Sequence, residues 1–161
     1  MALFSPPPAT HFPPVEGLRM DGTPLVLPDP DAAATFVVVS FEDDAAPVAG
    51  QWQRLGLRVA GDSPLTVVDL LAVPPRLKLL GDMALLTIRA RAEREVALDR
   101  IAVAYTKRKP LRKALGMHAR SDVSAFLIGP DGAIAWRGDG EIDLHEIESL
   151  EAALAGLRHA G

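Results

Sequence analysis

The run Thr35-Phe36-Val37-Val38-Val39-Ser40-Phe41 constrains this chain more than any other feature. It is a short, continuous stretch of β-branched and aromatic residues, too short for a helix, and it reads as a strand buried on both faces. Glu42, Asp43 and Asp44 follow at once, and carboxylates there cap and favour the N-terminus of a helix. The spacing predicts that helix from about Ala45 to Arg58, with Val48, Trp52 and Leu55 at i, i+4 and i+7 on one face. Gly61-Asp62-Ser63-Pro64 then breaks the chain, and Leu65 to Leu71 reads as a second strand. Strand, helix and strand in this span make a βαβ unit, whose crossover is expected to be right-handed.

The remaining elements follow by the same reasoning. Pro74-Pro75 opens a helical stretch through about Arg94, with Leu77, Leu80, Ala84 and Ile88 inside and Gly81 as a bend. Ile101 to Tyr105 is a further short strand, and Pro110 suits the first turn of a short basic helix that ends near Gly116. Val123 to Ile128 and Ala133 to Arg137 are strands joined by Gly129-Pro130-Asp131-Gly132, which is hairpin-turn chemistry. Asp143 caps a last helix whose Leu144, Ile147, Leu150, Leu154 and Leu157 form an apolar face. The expected fold is an α/β protein: a three-layer α/β/α sandwich with a mixed sheet, closed by a C-terminal β-hairpin and helix. Residues 1–14, with Pro6-Pro7-Pro8 and Pro13-Pro14, read as a proline-rich extended lead-in, and residues 15–161 as one domain.

The chain contains no cysteine. That removes disulfides, zinc–thiolate sites and cysteine nucleophiles together, and with them thiol redox and peroxidase chemistry. No apolar run approaches the ~20 residues that span a bilayer, and Met1 to Thr10 carries no basic segment followed by an apolar one. Both point to a cytoplasmic protein with no membrane insertion. The formal net charge of −4 conceals a division. Residues 1–60 hold 3 basic and 7 acidic side chains, residues 61–120 hold 12 and 6, and residues 121–161 hold 2 and 8. An acidic protein with a basic middle is a poor general nucleic-acid binder, yet the middle can present one anion-attracting face.

Asp21-Gly22-Thr23-Pro24 with Leu25 and Leu27, the Val37 to Phe41 strand, and Ala125-Phe126-Leu127-Ile128-Gly129-Pro130-Asp131-Gly132 resemble the alkyl hydroperoxide reductase and thiol-specific antioxidant branch of the thioredoxin superfamily. Gly129 stands where that branch usually has an acidic residue. A narrower set is similar to the ATP synthase membrane-sector assembly factors, the Atp-ten proteins: Phe12-Pro13, Gly22 to Leu27, the strand leading to Trp52, and Ile134-Ala135-Trp136-Arg137-Gly138-Asp139-Gly140. Those proteins have a thioredoxin-like domain without a working redox centre and bind a subunit during assembly. The resemblance places the superfamily's sulfur around Glu42 to Ala49, where this chain has Glu42, Asp43 and Asp44 instead. Such carboxylates oppose a thiolate. It also places the superfamily's cis-proline at Val123, so this vestigial redox-site region lacks both of its signature groups.

Several candidate sites remain, each with a plainer alternative. Glu42, Asp43 and Asp44, joined by Asp69, could hold a hard cation, or merely cap a helix. Lys107, Arg108, Lys109, Arg112 and Lys113 could hold an anion or an acidic partner, or form an exposed charged turn. Trp136 and Arg137 mark the hairpin edge as a partner surface, or fill the interior. His11, His118, His145 and His159 show no metal-ligand spacing, and no cofactor motif occurs. The reading that results is a non-catalytic protein-binding or assembly module with a protein partner. The alternatives are an enzyme that uses the carboxylates near the old redox site, and a structural homodimer held by the opposite charges of the middle and C-terminal thirds.

Overall fold

Strand β3 runs from Ala34 to Ser40 and every one of its residues is buried, as the apolar run requires. The computed structural model describes residues 9–41, 46–61, 64–76, 100–117 and 123–160. Ahead of β3 lie β1 (Val15–Arg19) and β2 (Pro24–Leu27). After it come α1 (Ala46–Ala60), β4 (Leu65–Val73), β5 (Ile101–Tyr105), α2 (Arg108–Leu115), β6 (Val123–Ile128), β7 (Ile134–Asp139) and α3 (Leu144–Ala160). Among the described residues the strands form one seven-stranded sheet in the order β2-β1-β5-β4-β3-β6-β7. The β3–β4 and β4–β5 pairs are parallel, and β6 returns antiparallel to β3 from Thr35↔Ile128 to Ser40↔Val123. The sheet is therefore mixed.

The period of two along β3 divides the interior. Phe36 and Val38 point to one face, where they join Trp52 and Leu55 of α1 and Leu150 and Leu154 of α3. Val37 and Val39 point to the other, where they meet Leu111 and Leu115 of α2 with Phe12, Leu25 and Leu27. Helices thus cover both faces of the sheet, the arrangement expected. Each of these side chains contributes roughly 1.5–3 kcal/mol by leaving water.

Asp143 caps α3 as anticipated, its Oδ1 accepting the Glu146 N–H at 2.8 Å. Leu144 does not join the apolar face; it is 69% exposed. At about 100° per residue it stands roughly 100° from the centre of the stripe made by Ile147, Leu150, Leu154 and Leu157. The turn between β6 and β7 follows from its residues: Gly132 N–H donates to the Gly129 carbonyl at 3.0 Å, and Gly132 takes φ +89°. Pro130 supplies the fixed φ of the turn, and the glycine supplies the left-handed residue after it. The strand after that turn begins at Ile134 and extends to Asp139, two residues past the expected end.

The N-terminal hairpin carries no clear periodicity in sequence, yet β1 pairs with β2 from Val15↔Leu27 to Leu18↔Pro24 and with β5 through Leu18↔Val103. Its turn is held by Asp21, whose Oδ1 accepts the Thr23 N–H at 2.9 Å. Phe12, inside the proline-rich lead-in, is buried against Phe126 with ring centroids 5.6 Å apart. Of the helix expected from Pro74 to Arg94, everything beyond Arg76 lies outside the described residues.

Candidate functional site

The parallel strands β3 and β4 end on the same side of the sheet, and the chain after β3 is where the resemblance places a sulfur. Glu42, Asp43 and Asp44 themselves lie outside the described residues. The structure does show what meets the last residue before them. Arg108, in the first turn of α2, donates from Nη2 to the Phe41 carbonyl at 3.1 Å. Arg112, one turn on, lays its guanidinium over the Phe41 ring, 4.6 Å from its centroid. The i, i+4 spacing of the two arginines puts both on the face of α2 that looks at β3. A contact between a guanidinium and an aromatic face is worth about 0.5–2 kcal/mol, more as water is excluded.

The basic segment therefore divides. Arg108 and Arg112 are half-buried and turned to Phe41, whereas Lys107, Lys109 and Lys113 are exposed. Lys107 sits at the N-cap without a side-chain cap bond, and Pro110 occupies the first turn. Gly116 closes the helix in the left-handed region at φ +66°. The outcome is a helix with one face bound to the sheet end and three ammonium groups in solvent around it.

Arg137 sits at the other end of the same helix. Its Nη1 donates to the Leu115 carbonyl at 2.9 Å, and Nη2 pairs with Asp139 Oδ1 at 2.9 Å. Its guanidinium also lies 5.1 Å from the Phe126 ring centroid. Asp139 in turn accepts the Ser124 hydroxyl. A cation on the last carbonyls of a helix is favourable, since those carbonyls carry the negative end of the helix dipole. The fork of Arg137 is used to tie β7, β6 and α2 together.

Trp136 is half-buried. Its Nε1–H donates to Ser149 Oγ of α3 at 2.8 Å, and its ring stacks on Phe36 at 6.1 Å and tilts against Trp52 at 5.7 Å. Trp52 is fully buried and donates to the Gly140 carbonyl at 2.7 Å. Gly138 lies where both indoles and the Glu146 carboxylate converge: a Cβ there would come within 2.6 Å of Trp52 and 2.7 Å of Trp136. The Trp-Arg-Gly-Asp-Gly segment thus has a packing explanation, in which a small residue lets two indoles meet. Val123, where the resemblance places the superfamily's proline, opens β6, is buried and pairs with Ser40.

Asp69 stands in the middle of β4, paired with Val38 on one side and Ile101 on the other. It is buried, and desolvation pushes its carboxyl up to about 7. It lies two register steps inside the end of β3, where Ser40 pairs with Leu71. The Glu146 carboxyl is also raised, by burial first and then by Asp143 beside it. Among the described residues no three metal-capable side chains gather at one point. His11 and His145 are exposed and apart.

What sequence reasoning missed is the approach of α2 to Phe41 and the Ser124–Asp139–Arg137 tie. The first joins residues 67 positions apart and the second crosses the β6–β7 hairpin from Ser124 to Asp139, and no local pattern announces either.

No family model matches this sequence, and no curated protein matches it. Solved structures do share its fold. BsSco, a member of the Sco family of cytochrome c oxidase assembly proteins, aligns over 96% of this chain and 97% of its own with a TM-score of 0.65 at 12% identity. Yeast Sco1 aligns over 94% and 96% with a TM-score of 0.63 at 8% identity. A peroxiredoxin-like protein from Aquifex aeolicus aligns over 95% and 90% with a TM-score of 0.58 at 12% identity. At such identities the likeness establishes a thioredoxin-like fold. It leaves the chemistry to be argued from the residues of this chain.

Proposed function

We propose that this chain is a protein-binding module of the assembly or chaperone type, built on the thioredoxin fold and working without redox chemistry. Its partner is an acidic protein segment, met by Lys107, Lys109 and Lys113 on the exposed side of α2. One observation carries the reading: the end of β3 is engaged by Arg108 and Arg112 of α2, in a chain that has no cysteine to place there. That part of the fold is spent on holding a basic helix in position.

Two lines support the choice of an assembly role over a bare scaffold. BsSco, which has the same fold, is described as a member of a family of cytochrome c oxidase assembly proteins. Independently, the segments around Phe12-Pro13 and Ile134 to Gly140 resemble the ATP synthase assembly factors. Trp136 and Arg137 contribute by fixing the hairpin and the end of α2, and the contact itself falls to the lysines. Opposite charge across such a contact raises the association rate and makes it sensitive to salt.

The test is co-purification with a variant that reverses the lysines, Lys107→Glu with Lys109→Glu and Lys113→Glu. All three side chains are exposed, so thermal unfolding is expected to stay near wild type. Wild type should retain a defined protein that elutes as salt rises, and the variant should lose it. Retention of the same protein by the variant, or nothing above background with wild type, would overturn the reading. Trp136→Ala is the wrong probe, because it would empty part of the interior.

A further inference from the structure

A shallow groove of about 390 Å³ runs between α1 and the start of α3, lined by Gln51, Arg54, Leu55, Arg58, Ile142 and Ile147. Leu55, Ile142 and Ile147 make its floor apolar, and Arg54 and Arg58, one turn apart, stand exposed along its rim. Ile147 is also the border of the outward face of α3. On that face Leu144 is 69% exposed, and Glu148 and Glu151 are exposed beside it. At about 100° per residue these three fall within roughly 60° of one another, and Glu151 lies about 40° from Ile147.

A single exposed leucine means little on its own. Here an apolar knob borders an apolar hollow, and an acidic stripe borders a basic rim, all on one side of the molecule. A two-fold symmetric contact demands this kind of patch, since each copy must present both halves of the match.

We infer that this chain pairs with a second copy of itself through this face, Leu144 of each copy seating in the groove of the other and Glu151 meeting the Arg58 rim. The inference stands apart from the role assigned to α2, which lies against the opposite face of the sheet. A partner of another kind would have to supply both an apolar knob and acidic flanks, whereas the second copy already carries them.

Sedimentation velocity over a range of protein concentrations tests this. Wild type should show a concentration-dependent dimer that weakens as salt rises from roughly 0.05 to 0.5 M, where screening shortens from about 14 to about 4 Å. Leu144→Glu should leave a monomer. Arg58→Glu and Glu151→Lys should each weaken dimerisation roughly ten-fold, because symmetry repeats every like-charge contact twice. Mixing those two variants should restore a dimer, since in the mixed pair both contacts again join opposite charges. All three substituted residues are exposed, and far-ultraviolet circular dichroism checks that the variants are folded. A wild type that stays monomeric at the highest concentration, a dimer indifferent to these substitutions, or a mixture that fails to recover would each overturn the proposal.

Discussion

A carboxylic acid in the middle of a parallel strand is a costly residue, and Asp69 is one. Its carboxyl is raised to about 7 by burial, against about 3.9 in an unfolded chain. Below pH 4 the group is protonated in both states and burial costs no charge. Between pH 4 and 7 the native state holds a proton that the unfolded state has released, so stability falls as pH rises through this window and levels off above it. The full difference is up to about 4 kcal/mol. Asp69→Asn removes the titration, so its stability should lack that decline and exceed wild type above pH 7. Urea unfolding at pH 5 and pH 8 on both proteins decides the matter. An equal pH dependence in the two would show that Asp69 ionises freely in the folded protein.

Between residue and fold stand the caps and turns, and α3 depends on one of them. Asp143 Oδ1 accepts the Glu146 N–H, which satisfies one of the free donors at the start of the helix. The acidic pair also sits at the positive end of the helix dipole. Asp143→Ala should cost about 1 kcal/mol, read as a lower denaturant midpoint with an unchanged slope. Asp143→Asn or Asp143→Ser should recover most of the loss, since either side chain accepts the same N–H. If Asn and Ser behave like Ala, the loss does not come from the cap.

At the scale of the molecule, the parts legible in sequence were those where one segment carries its own pattern. The strand β3, the stripe of α1, the β6–β7 turn and the cap of α3 each announce themselves within a dozen residues, and their order suffices for a thioredoxin-like sheet. The hairpin β1–β2 shows in sequence only through the Asp21 to Leu27 motif, because its strands are short and include Gly17, Arg19 and Pro24. Pairing with β5, not propensity, makes them strands. The contact of Arg108 with Phe41 spans 67 positions and could be seen only once the sheet had brought them together. That same sheet couples the two halves of the interior, because consecutive residues of β3 belong to opposite clusters. Loosening either side should therefore unfold both. Leu111→Ala acts on one face and Leu150→Ala on the other, each costing about 2–5 kcal/mol. Trp52 and Trp136 both lie on the Leu150 face, so their fluorescence reports only that side, while far-ultraviolet circular dichroism reports the whole. Leu111→Ala is expected to shift the fluorescence and dichroism midpoints together, as a single cooperative unit requires. A Leu111→Ala protein whose dichroism melts early while its tryptophan signal holds would mean that the faces fold separately.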